Sequence, residues 1–103
     1  MINNETIVAL ATPSGVGAIG VIRLSGSNAI CIANTIFAGK NLETQLSHTI
    51  HYGHISDGTA IIDEVMVSIF CAAKSFTTED IIEISCHGSH FISQQIIRRL
   101  IKK

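Results

Sequence analysis

The sequence predicts an α+β domain of two layers, a mixed β-sheet carrying its helices on one face. Three observations lead there. The 103 residues are enough for one domain whose core hides roughly 65% of the surface the unfolded chain exposes. Short β-branched runs bounded by turn residues recur along the chain. Two segments, 27–39 and 89–103, repeat apolar residues at helical spacing.

Taken in order, "ETIVALATPSG" opens with the apolar run Ile7 to Leu10 and closes in Pro13-Ser14-Gly15, a strand followed by a turn. "AIGVIRLSG" is a second strand ended by Gly26, with Ile22 and Leu24 on one face and Val21, Arg23 and Ser25 on the other. "SNAICIANTIFAG" is the first helix, with Ser27 as its N-cap, Gly39 as its stop, and Ile30, Ala33, Ile36 and Phe37 along its apolar stripe. The polar stretch "KNLETQLS" is a loop. "HTIHYGHISDG" leads to a hairpin at Asp57-Gly58. In the return arm, Val65, Val67 and Ile69 alternate with Met66, Ser68 and Phe70, so both faces are apolar and the strand belongs in the middle of the sheet. "IIEISCHG" is the last strand. "SHFISQQIIRRLIKK" is the last helix, with Phe91, Ile92, Ile96, Leu100 and Ile101 on its stripe and basic residues at the carbonyl end of its dipole. That helix reaches the last residue without a stop signal, so the protein is expected to continue beyond Lys103.

Hydrophobic residues make up 47% of the chain and charged ones 15%, where an ordinary soluble domain has roughly 25% charged. So apolar a body is expected to hide surface against another protein, a second copy or a neighbouring domain. No apolar run is long enough to span a bilayer, and "MINNETIVAL" lacks the features of a signal peptide. A net charge of -1 exerts no general pull on nucleic-acid backbones. Cys31, Cys71 and Cys86 are odd in number and have no C-x-x-C spacing, which argues for a reducing, cytoplasmic compartment and against a disulfide framework or zinc ribbon.

Several residues are candidates for chemistry. Gly15, Gly17 and Gly20 match the spacing of a dinucleotide fingerprint, but a strand follows where the fingerprint needs a helix N-terminus. No phosphate loop of the G-x-x-x-x-G-K-[ST] type occurs. Arg23, a guanidinium inside an apolar strand, is either exposed and paired with a local carboxylate or a clamp on an anionic or carbonyl-rich ligand. Glu79 and Asp80 follow Ser75, Thr77 and Thr78, where a hydroxyl can cap a turn; the acids either support that cap or face a ligand with N–H donors. His48, His51 and His54 stand on a strand that points His51 away from the other two. Cys86, His87 and His90 are spaced like a metal site or a nucleophile with its base. Strand alternation instead splits Cys86 from His87, and the stretch reads as a strand end passing through Gly88 into the last helix, its side chains architectural or lining a cleft.

"TIVALATPSGVGAIGVIRLSG", "HYGHI", "DEVMVSIFCAAKSFTTEDIIEISCHG" and the closing helix together resemble the N-terminal domain of the bacterial and organellar tRNA modification GTPases, MnmE or TrmE. The resemblance covers nearly the whole chain. It departs at Ser14-Gly15-Val16-Gly17, where Pro-Gly-Arg-Gly is common, and at Thr78 and Ser89, where glycine is common. It implies a fold like the tetrahydrofolate domain of the glycine-cleavage aminomethyltransferase, with residues 1–103 forming a folate-binding and homodimerising N-terminal domain. By motif position it implies folate contacts at Arg23 and Glu79, with 5-formyl- or 5,10-methylene-tetrahydrofolate as the ligand and no catalytic residue or metal ligand in this segment. It further implies helical and GTPase domains beyond this chain that use GTP, magnesium and potassium. The partners it implies are a flavin-dependent protein of the MnmG or GidA type and a tRNA modified at carbon 5 of its wobble uridine. Two other readings of the segment are a free-standing folate-dependent aminomethyltransferase and a domain that only dimerises.

Overall fold

The structure, a computed structural model, describes residues 6–12, 19–72 and 79–102. The glycine loop at 13–17, with its Val16 departure, and the hydroxyl residues Ser75, Thr77 and Thr78 lie outside the described residues. Among the described residues, six strands and two helices follow one another as β1 (Ile7–Leu10), β2 (Ile19–Ser25), α1 (Ala29–Ile36), β3 (Phe37–Ala38), β4 (Thr49–Asp57), β5 (Ala60–Phe70), β6 (Ile81–His87) and α2 (His90–Ile101). The strands make one sheet in the order β1-β2-β6-β5-β4-β3. Every neighbouring pair is antiparallel, so the sheet has none of the parallel pairing that a mixed sheet would contain.

Strand alternation decides what lies inside. Ile22 and Leu24 of β2 stand opposite Ile84 and Ile82 of β6, which in turn face Val67 and Ile69 of β5. All six are buried, and both helices pack on this side of the sheet. From α1 come Ala29, Ala33 and Ile36, and from α2 Ile96 and Leu100. Fully burying each large aliphatic side chain contributes about 1.5–3 kcal/mol. β5 lies between β6 and β4, in the central place its two apolar faces required.

Three boundaries differ from the sequence reading. Asn28, not Ser27, precedes α1, and it makes no side-chain cap. The helix ends at Ile36 because Phe37 turns extended, at φ -92° and ψ 128°, and pairs with Ile55 to start β3, so Phe37 is not on the helical stripe and Gly39 is not the stop. The loop 40–47 includes a short 3-10 turn, Leu42–Thr44, whose Leu42 is buried and whose N–H donates to Asn34 Oδ1.

α2 is rotated from its expected stripe. Ser93, Ile96 and Leu100 face the sheet, while Phe91 and Ile101 are exposed. Ser93 can sit inside because its hydroxyl donates to the carbonyl of His90 at 3.2 Å. At the β4–β5 hairpin, Asp57 pairs with Ala60, and Gly58, the first residue between them, takes φ +63° as tight hairpin loops require. No described helix is long and apolar enough to cross a membrane.

Candidate functional site

The other face of the sheet carries the side chains that alternate with the core. Ile7, Ile19, Ile50, Tyr52 and Met66 remain exposed there. Among the described residues this is a broad, partly apolar surface crossed by a few polar groups.

Arg23 and Glu83 are direct cross-strand partners on that face. The Arg23 Nε–H donates to Glu83 Oε2 at 3.0 Å and Nη2 donates to the same oxygen at 2.5 Å. The Arg23 side chain nevertheless stays 52% exposed. A guanidinium has five N–H donors, and Nη1 takes no part in the pair. One step along the face, the Ser25 hydroxyl donates to Glu79 Oε2 at 2.8 Å. Glu79 is placed there by its neighbour: the Gly26 N–H donates to the Asp80 carbonyl at 3.0 Å, and Asp80 Oδ1 accepts the Ala72 N–H at 2.7 Å. Alternate residues of a strand are roughly 6–7 Å apart, so Ser25, two residues on from Arg23, places Glu79 along the same strand face. Arg23 thus satisfies the ion-pair reading, and its remaining donors leave the clamp reading open to it.

A groove of about 370 Å³ lies further along the same face, lined by Ile19, Tyr52, Glu64, Met66, Ser85 and His87. The Tyr52 hydroxyl donates to Glu64, and this bond, together with the negative charge of the carboxylate, holds the phenol above its ordinary range. His87 faces the groove, and its ring nitrogen Nδ1 is 2.6 Å from Oδ1 of the buried Asp63.

Cys86 points the opposite way into the core, with its Sγ 3.5 Å from the Gly20 carbonyl. Burial, and secondarily the charge of Asp63, pushes its thiol up to about 11. A thiol so disposed to stay protonated is a poor nucleophile. Ser89, the departure from glycine, is the N-cap of α2, its Oγ accepting the Ile92 N–H at 3.4 Å. His90 opens that helix, so Cys86, His87 and His90 do not converge. Nor do the other three histidines. His51 and His54 lie on opposite faces of β4, and His48 precedes it at φ +64°, edge-on to Phe70 at 5.2 Å. Among the described residues, no three histidines, cysteines or carboxylates are grouped to hold a metal ion.

Sequence reasoning passed over Glu83, Asp63 and the Tyr52–Glu64 pair. The signal was present for two of them. Glu83 is a single acid in an apolar strand run, as Arg23 is a single base, and Asp63 heads the acidic pair Asp63-Glu64 inside another such run; a charge in such a place needs a partner.

The model of the GTP-binding protein TrmE N-terminus matches residues 6–103. Relatives include the tRNA modification GTPases MnmE of Flavobacterium psychrophilum, 58% identical over all of this chain, and of Streptococcus thermophilus, 56% identical over 95% of it. The MnmE of Acholeplasma laidlawii is 54% identical over 95% of the chain. The chain spans only 23% of the first relative's length and 22% of the other two. With the family model covering nearly every residue and relatives above half identity, the chain belongs to the family of the TrmE N-terminus.

Proposed function

We propose that this chain is the folate-binding, dimerising module of a GTPase that modifies tRNA at carbon 5 of the wobble uridine. The observation that carries the ligand part is the patch of Arg23, Glu83, Ser25 and Glu79 beside an apolar groove on the uncovered sheet face. A tetrahydrofolate has matching parts. Its ring presents amide and amino donors suited to the Glu79 carboxylate, its carbonyls and glutamate tail suit the outer donors of Arg23, and its flat ring suits apolar walls. Bound there, a 5-formyl- or 5,10-methylene-tetrahydrofolate supplies a one-carbon unit. Arg23 and Glu79 bind and orient it.

The exposed Ile7, Ile19, Ile50, Tyr52 and Met66 support burial of this face in a homodimer. GTP, magnesium and potassium then belong to domains outside this chain. The flavin-dependent partner protein and the tRNA engage the whole cytoplasmic protein. Titration of the full-length protein with 5-formyl-tetrahydrofolate tests this reading: saturable binding that Arg23→Ala weakens supports it, and no binding overturns it.

A further inference from the structure

The pair of Asp63 and His87 has a use that packing does not explain. Asp63 is buried, with a side chain only 7% exposed, and both its oxygens go to one residue. Oδ2 accepts the His87 backbone N–H at 2.8 Å, while Oδ1 meets the ring Nδ1 at 2.6 Å. The first bond has a structural purpose, since the β5–β6 ladder ends at Met66 and Ser85 and leaves the His87 N–H in need of an acceptor. The second has none of that kind. The His87 side chain is 68% exposed, so it adds little to the core, and a buried carboxylate costs desolvation that an aliphatic residue avoids.

What the second bond does is fix the imidazole. An ionised carboxylate only accepts, so Nδ1 carries the proton, and in the neutral tautomer that this bond selects Nε2 is the acceptor. The ring lines the groove with Ile19 of β2, Tyr52 of β4, and Glu64 and Met66 of β5. Among the described residues, the titratable groups around it are Asp63 and Glu64 from β5, Tyr52 from β4, Cys86 on the far face of β6 and His90 at the start of α2, while β2 contributes Ile19 to the groove. A groove that sets an oriented imidazole beside apolar Ile19 and Met66 suits a heterocycle with an N–H edge.

We propose that His87 is a ligand-contact residue of this groove, accepting an N–H of a bound reduced pterin through Nε2, with Asp63 as the residue that positions it. This rests on the folate reading above, which it extends from the Arg23 patch to the groove.

Two substitutions separate contact from architecture. An Asn amide occupies the place of Nδ1 and can keep the Asp63 bond, whereas a Gln amide reaches the place of Nε2 and can keep an acceptor for the ligand. In the full-length protein, with 5-formyl-tetrahydrofolate as the probe, His87→Asn is expected to weaken binding about tenfold, the loss of one good hydrogen bond, at an unchanged melting temperature. His87→Gln is expected to bind within about threefold of the parent. Unchanged affinity in both variants, or equal losses in both that track a lower melting temperature, overturns the proposal while binding by the parent and its loss in Arg23→Ala leave the folate reading standing. A parent that binds no folate overturns both.

Discussion

Arg23 is held by Glu83 yet half exposed, and these two facts make separable predictions. An ion pair so open to water contributes about 0–1 kcal/mol to folding. Arg23→Ala is therefore expected to shift the denaturant midpoint little while lowering folate affinity at least tenfold, as loss of a charge-assisted contact does. Cys86 offers a second test. Its thiol is raised from an ordinary value of 9.0 to about 11, so between those values the unfolded chain gives up a proton that the folded chain keeps. Stability from this group is whole below pH 9, falls as pH rises, and is gone above pH 11. Melting curves from pH 8 to 11 should show that decline in the parent, and Cys86→Ala should flatten it. Alternation along β2 and β6 made the faces of Arg23, Cys86 and His87 legible in the sequence. Their partners were not: Glu83 lies 60 residues from Arg23, and only the register of β2 against β6 says which acid meets which base.

At the scale of elements, the strands were the most legible and the ends of helices the least. β1, β2 and the hairpin at Asp57-Gly58 follow from β-branched runs and turn residues, which act locally. The end of α1 does not, because Phe37 leaves a helix it could have continued to pair with Ile55. Gly53 shows what that edge demands: a Cβ there would sit 2.4 Å from the Ala38 carbonyl oxygen and 2.4 Å from the Phe37 ring. Gly53→Ala is expected to destabilise by about 1–3 kcal/mol through overpacking, seen as a lower urea midpoint. The rotation of α2 had a similar cause. Five apolar residues fitted a stripe by spacing, but only packing against the sheet chose Ile96 and Leu100 over Phe91 and Ile101. Ser89 at its N-cap tolerates glycine. Ser89→Gly should cost only a few tenths of a kcal/mol in chemical denaturation, and Ser89→Ala about 0.5–1 kcal/mol given its long hydrogen bond.

For the whole molecule, the decisive feature is the asymmetry of the sheet. One face packs two helices over a continuous aliphatic core. The other leaves large apolar side chains beside an arginine, paired carboxylates and an oriented histidine. A high apolar fraction and low charge made an exposed apolar surface legible in the composition, and the antiparallel order of the strands determines which residues share that surface. Charge on this face outside the groove should oppose the proposed self-association: Ile50→Asp is expected to shift the full-length protein from dimer to monomer in sedimentation at unchanged circular dichroism.

The measurement closest to the central claim is calorimetric titration of the full-length protein with 5-formyl-tetrahydrofolate, run on the parent, Arg23→Ala and Glu79→Gln at one protein concentration. The account predicts saturable binding by the parent and at least tenfold weaker binding by both variants at nearly unchanged melting temperatures. Equal affinity in all three proteins, or no heat of binding in the parent, would contradict it.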